Sequence, residues 1–455
     1  MTDQPDSTAI QAHPPAPVGE SGKGHRSAMF IVFLVVFIDL LGFGIVLPLL
    51  PLYATEILEP LLPGLANEPT RGLVLGLLMS SFSAMQFLFA PIWGRVSDRI
   101  GRRWILILGL AGSVVFYTLF GIASEVSASG ALGLALTLLF VARLGAGIAG
   151  ATISTAQAVI ADSTTPENRS RGMALIGAAF GIGFTFGPLL GFASLFFPWK
   201  GSPGFVAAVF SLVALILAWH LLPETLRPDS SHQRRRWFDW RGFQDILHTP
   251  TVGLLVLTFF LSTLAFGALE STLALVNRIL LHPELDPRIP LTVEAMHDTE
   301  SKNFLVFAYI GFVLMLVQGF IYRRFVRRVG EVPFLRAGVL LMGLGLLGAA
   351  LILLCREALG PSGAIFAGLG VMTLAVMGFA FLTPSVQALI SRRSDPAKQG
   401  EVLGINQSAA ALARILGPMF GLWLFHLTPT HVLPYACGAI LLALVFVLSF
   451  RVQPD

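Results

Sequence analysis

The sequence predicts an all-α membrane protein of twelve transmembrane helices, built as two six-helix pseudo-repeats, and three observations carry that prediction. Of 455 residues, 55% are hydrophobic and only 12% charged, with a mean hydropathy of +0.77, whereas soluble chains carry roughly 25% charged residues. Apolar runs recur along the chain at the length needed to cross a hydrocarbon core about 30 Å thick. Short segments also repeat at a shift of about 230 residues, which divides the chain into two similar halves. This composition excludes a soluble multidomain enzyme and a disordered scaffold. It also excludes an outer-membrane barrel, whose spans are short and alternating.

Residues 1–27 are polar and proline-dotted and hold no apolar signal core, so they read as a disordered cytoplasmic tail without a cleavable leader. Six apolar runs follow at 28–53, 72–93, 104–123, 131–160, 172–197 and 205–222, giving an N-terminal bundle over 28–222. Residues 223–250, with Arg234, Arg235 and Arg236, form a cytoplasmic linker. Runs at 252–281, 304–322, 334–355, 364–390, 402–425 and 432–450 then give a C-terminal bundle over 251–450, with a short tail at 451–455. The acidic stretch 282–302 reads as a loop. Cys355 and Cys437 lie in or beside apolar runs without metal-like spacing and read as packing residues. No metal site and no cofactor are expected.

The formal net charge is +4 and the pI near 9.3. The basic residues sit in short loops, so they report topology rather than a nucleic-acid partner. With a cytoplasmic N-terminus, 22 of the 30 Lys and Arg fall on the cytoplasmic side. Six (Arg71, Lys200, Arg278, Arg288, Lys302 and Arg356) fall on the other side, and Arg143 and Arg414 lie within spans. That asymmetry places both termini in the cytoplasm of a multi-pass protein of the inner (plasma) membrane.

The internal repeat is legible at three places. AQAVIAD (156–162) lies over VQALISR (386–392), aligning Gln157 with Gln387. GPLLG (187–191) lies over GPMFG (417–421), and GRVSDRIG (94–101) over RRFVRRVG (323–330). Two helical halves in a parallel repeat are a transporter architecture with the site near midplane between them.

GRVSDRIGRR (94–103) joins spans two and three. Gly94 and Gly101 permit close helix approach and a tight turn, and Asp98 can accept from the unpaired donors of a helix N-terminus. With Arg99 and Arg102 it resembles the signature loop of the major facilitator superfamily. The resemblance implies that fold and a latch from Asp98 to the start of span eleven, near Gly400, in the outward-facing state. Arg327 holds the matching slot in the second copy, so only the first copy can form this latch. RLGAGIAGA (143–151) carries Gly145, Gly147 and Gly150 in a dinucleotide-like spacing, but no strand precedes it and it lies inside an apolar run. It resembles the span-four segment of drug/proton antiporters. In GAAFGIGFTFGPLLG (177–191), Gly183, Gly187 and Gly191 line one helix face and Pro188 bends span five. This looks like the antiporter motif, with Gly191-Phe192 replacing its terminal Gly-Gly. FIDLLGFGIVLPLLP (37–51), QGEVLGINQS and LARILGP (399–417) extend the similarity to the tetracycline-resistance branch and its animal relatives. One departure concerns spans three and nine, which carry acids in the tetracycline pumps and none here, with Phe116 near the expected place. It counts against a metal–tetracycline complex as substrate, while a tetracycline-like drug stays in range.

Asp39, Arg143, Glu270 and Arg414 are the ionisable residues away from the span ends, one acid and one base in each half. Such costly groups are by default functional and paired with one another. They are the proton-coupling candidates, with Asp39 about 17 Å along span one. Gln157, Gln387 and Gln407 are the cavity-lining candidates. Gln86, Gln318 and Asn406 complete the polar groups of the spans. The resemblance implies efflux of a small amphipathic drug or xenobiotic in exchange for protons, by alternating access and powered by the proton gradient. Its partners are the substrate, protons and the lipid bilayer, with the chain working as a monomer. A metabolite symporter on the same fold is the alternative. A receptor or intramembrane hydrolase is a more distant one, since no HExxH or GxSxG occurs.

Overall fold

The computed structural model describes residues 21–163, 169–225, 250–282, 292–394 and 399–453. Most of the expected tail and of the linker 223–250, and residues 283–291 of the loop 282–302, lie outside the described residues. Every regular element among the described residues is helical.

In chain order the helices are α1 (Met29–Leu61), α2 (Glu68–Ile100), α3 (Arg102–Ala128), α4 (Leu132–Ile160), α5 (Arg169–Ser194) and α6 (Ser202–Leu221). The second set is α7 (Pro250–Leu281), α8 (Glu294–Val329), α9 (Glu331–Gly360), α10 (Ser362–Arg393), α11 (Gln399–Leu427) and α12 (Leu433–Ser449). Ten of them contain stretches long and apolar enough to cross a membrane, and two shorter apolar helices, Gly181–Ser194 and Leu433–Ser449, stand in the fifth and twelfth places. Twelve helices in this order are consistent with the expected fold.

Several boundaries differ from the apolar runs, for one reason: hydropathy marks where a helix leaves lipid, not where its hydrogen bonds stop. Helix also precedes the apolar span of α1, running from Ser21, inside the expected tail. The stretch 94–100, expected as loop, continues α2 to Ile100, and the chain turns at Gly101 alone, whose φ of 110° suits glycine. Residues 293–302 are likewise helical, capped by Thr292, whose Oγ1 accepts from the amide of Ala295 at 3.3 Å. Proline shapes α1: its helix ends at Val46, and a turn at 47–49 containing Pro48 precedes a second segment, Leu50–Leu61.

Packing repeats along with the sequence. Gly330, 229 residues after Gly101, turns α8 into α9 with φ 88°. A Cβ on Gly109 of α3 would meet the Ala149 carbonyl of α4 at 2.9 Å, and one on Gly338 of α9 would meet the Gly378 carbonyl of α10 at 2.7 Å. Gly187 of α5 lies on Gly44 of α1, and Gly417 of α11 lies on Gly267 of α7. Within the first set α1 packs on α5 and α6, and α3 on α4 and α6; within the second, α7 packs on α11 and α12. The two sets meet chiefly through α2 against α11 and α5 against α8. These crossings also correspond, since Gly76 sits against Met419 and Gly311 against the Phe184 and Thr185 backbone.

Gly378 gives a direct test of the crossing of α9 with α10. A Cβ there would lie 2.5 Å from both the Gly338 carbonyl oxygen and the Met342 amide nitrogen, whereas one on Gly370 meets nothing within 4 Å. Gly378→Val is expected to cost about 1–3 kcal/mol or more through overpacking against backbone. Thermal unfolding of the purified protein in detergent should show a lower midpoint for Gly378→Val than for Gly370→Val.

Candidate functional site

Asp39 sits partly buried in the middle of α1, where three other helices reach it. Ser113 of α3 donates to its Oδ1 at 3.0 Å, and the Tyr117 hydroxyl approaches its backbone carbonyl at 3.5 Å. α4 breaks beside it: an α-helix ends at Ala149, Gly150–Thr152 forms a 3₁₀ turn, and Ile153–Asp162 resumes the helix. Gln86 of α2 donates from Nε2 to the Gly150 carbonyl at 3.1 Å, so it supports this break. A Cβ on Gly150 would stand 3.4 Å from Asp39 Oδ2 and 3.2 Å from Gln86 Nε2. The break thus lies against the Asp39 and Gln86 side chains. A small cleft bordered by Val36, Gly109 and Thr152 reaches the carboxyl group. Its bonded side-chain partner is a neutral hydroxyl that can donate to a carboxylate or accept from a carboxylic acid, so the site accommodates either protonation state.

Arg143 is not the partner of Asp39 that the sequence invited. It is 4% exposed, donates from Nη2 to the Met79 carbonyl at 3.4 Å, and lies over the ring of Phe82 at 4.7 Å and that of Phe43 at 6.0 Å. Aromatic faces and a carbonyl thus hold the guanidinium in place of a carboxylate. The glycines that follow it serve packing. Gly145 makes room for the Phe116 ring, and Gly147 for the Phe82 backbone.

In the second set, Glu270 of α7 is partly buried and interacts electrostatically with Arg414 of α11, without an ion pair between them among the described residues. Arg414 is accessible although protein surrounds it on most sides. Ionisable residues at membrane depth by default face the bundle interior or a water-filled cavity. Gln407, seven residues earlier on the same helix face, is also exposed, as is Gln157 of α4, while Gln387 of α10 is partly buried. Asn406 is fully buried, with neither side-chain atom bonded to protein.

Of the glycines along α5, Gly183 and Gly187 lie against Leu40 and Gly44 of α1, whereas Gly191 lies against the Phe304 ring of α8. One helix face thus serves both a contact within a set and a contact between sets, with Pro188 inside the helix. At the Asp98 end of the bundle, Arg102 bonds Asp98, also reaches Asp162 at the end of α4 at 3.2 Å, and donates to Ser97 Oγ at 2.8 Å. Gly94 offers its carbonyl to Ser97 Oγ at 2.7 Å. Asp98 is thereby engaged within its own set, close to Arg99 on the last turn of α2. Glu224, just past α6, accepts from the Arg102 amide at 2.9 Å and the Arg103 amide at 3.3 Å, capping α3. Neither Glu224 nor Asp162 is among the residues singled out by their place in the sequence. The second set carries the Arg102–Asp162 pair with its signs exchanged, Glu331 to Arg392 at 2.8 Å. The alignment of Asp162 with Arg392 was the available signal.

The opposite end holds a charged cluster that was also missed. Glu59 of α1 meets Arg278 of α7 at 3.7 Å, their side chains only 11% and 7% exposed. Glu56 pairs with Lys200, and the Tyr53 hydroxyl donates to the Lys200 carbonyl at 3.0 Å while lying against the buried Glu300 of α8. Tyr53, Glu56 and Glu59 follow one another three residues apart, a helix-face spacing that could have marked them. At this same end Gly72 and Gly76 of α2 lie against Leu422, His426 and Met419 of α11, so the two sets are closed on each other here.

Comparison with known proteins agrees with this architecture. The family model of the Major Facilitator Superfamily matches residues 32–373 and, in a second match, 285–455. Major facilitator superfamily domain-containing protein 10 of Bos taurus is 28% identical, over 94% of each chain, and its Homo sapiens counterpart 29% identical, over 89% of each. The class E tetracycline resistance protein of Escherichia coli is 28% identical over 94% of this chain and 96% of its own. The crystal structure of the human organic anion transporter MFSD10 (TETRAN) superposes with a TM-score of 0.64 at 26% identity, covering 96% of this chain and all of that one. That of a D-xylose-proton symporter, at 16% identity, shares the fold with a TM-score of 0.71. With relatives aligned almost end to end and the family model running from residue 32 to the C-terminus, this chain belongs to the Major Facilitator Superfamily and is a multi-pass membrane transporter.

Proposed function

We propose that the chain is a proton-coupled antiporter that exports a small amphipathic organic solute from the cytoplasm by alternating access, working as a monomer in the plasma membrane without a cofactor. The observation that carries this reading is the Asp39 site, a carboxyl group held by a neutral hydroxyl beside a break in α4 and away from the arginine of its own set. Glu270 and Arg414 face the cavity and supply the polar part of the solute site, with Gln157, Gln387 and Gln407 as further contacts. Two kinds of relative support a drug-like cargo, the tetracycline resistance proteins and an organic anion transporter. Of these, an organic anion suits the accessible Arg414 better.

With the basic loops in the cytoplasm, the closed Glu59 end faces outward. Asp98 then waits for the opposite state to reach α11. Returning one proton through roughly 150 mV supplies about 3.5 kcal/mol, enough for a gradient of a few hundred-fold.

Everted membrane vesicles with an acidified lumen and a fluorescent pH probe test the reading. Adding a transported amphipath, from a panel that includes tetracycline and organic anions, is expected to release luminal protons. Proton movement in the same direction as the solute would replace antiport by symport, and silence across the panel would remove drug export altogether.

A further inference from the structure

The two sets do not present the same kind of surface around their ionisable residues. In the first, Arg143 is sealed under Phe82 and Phe43 and Asp39 is enclosed by α3 and α4. In the second, two rings from different helices stand face to face. Phe266 of α7 and Phe379 of α10 stack with centroids 4.1 Å apart and planes 7° from parallel, and both are partly exposed.

Helix spacing ties this stack to the polar groups of the cavity. Glu270 lies one turn beyond Phe266 on the same face of α7. On α10, Thr383 and Gln387 follow Phe379 at successive turns, and Thr383 donates to the Phe379 carbonyl at 3.0 Å. Gly267, next to Phe266, faces the α11 stretch from the Ala413 carbonyl to Pro418, which brings the base of Arg414 alongside. The stack therefore stands on helices packed beside the stretch of α11 that carries Arg414.

We propose that Phe266 and Phe379 form an aromatic platform that makes the site selective for solutes carrying a planar ring next to an anionic group, the ring extending the stack and the anion meeting Arg414. Stacking and apolar contact favour a flat ring over an alkyl chain of equal charge. The guanidinium contributes to both solutes alike. The platform deepens the proposed function and rests on its solute site, but it does not depend on proton coupling.

The test uses the full-length chain in lipid nanodiscs and isothermal titration with 2-naphthoate and octanoate, two monoanions that differ in the flat ring. The wild type is expected to bind naphthoate more tightly. Phe266→Leu and Phe379→Leu should each weaken naphthoate by about 2- to 12-fold, the range that aromatic-pair energies imply, and leave octanoate unchanged. Retained octanoate binding also shows that these variants fold. Phe266→Tyr and Phe379→Tyr keep a π-face and should keep the preference. Equal weakening of both ligands by leucine, no preference in the wild type, or loss of preference in the tyrosine variants would each overturn the platform. Naphthoate preference without solute-triggered proton release in vesicles would overturn the antiport reading and leave the platform standing.

Discussion

Replacing Asp39 by asparagine is expected to abolish solute-triggered proton release while leaving the fold intact. The amide keeps the size of the carboxyl group and can still receive the Ser113 hydroxyl bond, seen at 3.0 Å in the wild type. It can no longer carry a proton. Exchange should fall by about two orders of magnitude or more, the scale on which removal of a positioned proton-transfer group acts. Binding of solute should persist, because Glu270, Arg414 and the stacked rings lie on α7, α10 and α11 rather than on α1. The measurement is proton release in vesicles and solute titration on the same preparation. Release that survives in Asp39→Asn would move the proton role to Glu270.

The second large effect is expected at the closed end. Arg278→Glu would set a carboxylate against Glu59 in a place where both side chains are nearly buried. Breaking a buried pair costs about 3–5 kcal/mol, and here the loss falls on the closed arrangement, since the contact joins α1 to α7. The mouth should therefore open. A cysteine introduced near Glu59, after replacement of the exposed Cys355 and Cys437, reports this as faster labelling by a water-soluble maleimide. Transport should drop with it, because a cycle biased to one side stalls. Combining Arg278→Glu with Glu59→Arg restores opposite signs and should bring labelling and transport back toward the starting values. If the double variant labels as fast as the single one, the pair is not what holds this end.

Much of the fold was legible because membrane helices announce themselves one at a time. Each apolar run marks a helix, and the repeat at Gly187 and Gly417 marks the close crossings that pack against Gly44 and Gly267. The four ionisable residues were found for the same reason, as exceptions within apolar runs. Their partners were not, since hydropathy is blind to contacts between residues far apart in the chain. Arg143 was matched to Asp39 by charge, yet the structure satisfies it with Phe82, Phe43 and a carbonyl, groups that no charge count brings forward. Glu300 was hidden in another way. It lies in a polar stretch that reads as loop, and only the extension of α8 back to Thr292 carries it under Tyr53. The phenylalanines of the chain are too many for any one to stand out, so Phe266 and Phe379 emerged only once two helices placed their rings together.

The exchanged signs of the two ion pairs at the Asp98 end also bear on how the chain assembles. Arg102 belongs with Asp162, and Glu331 with Arg392. Were the halves to trade partners while inserting, Arg102 would face Arg392 and Glu331 would face Asp162, and each such meeting repels. Similar helices with the same polarity would have offered two nearly equivalent ways to pair. Opposite polarity gives each half a private lock and key, so two bundles that share a plan can form next to each other without exchanging parts.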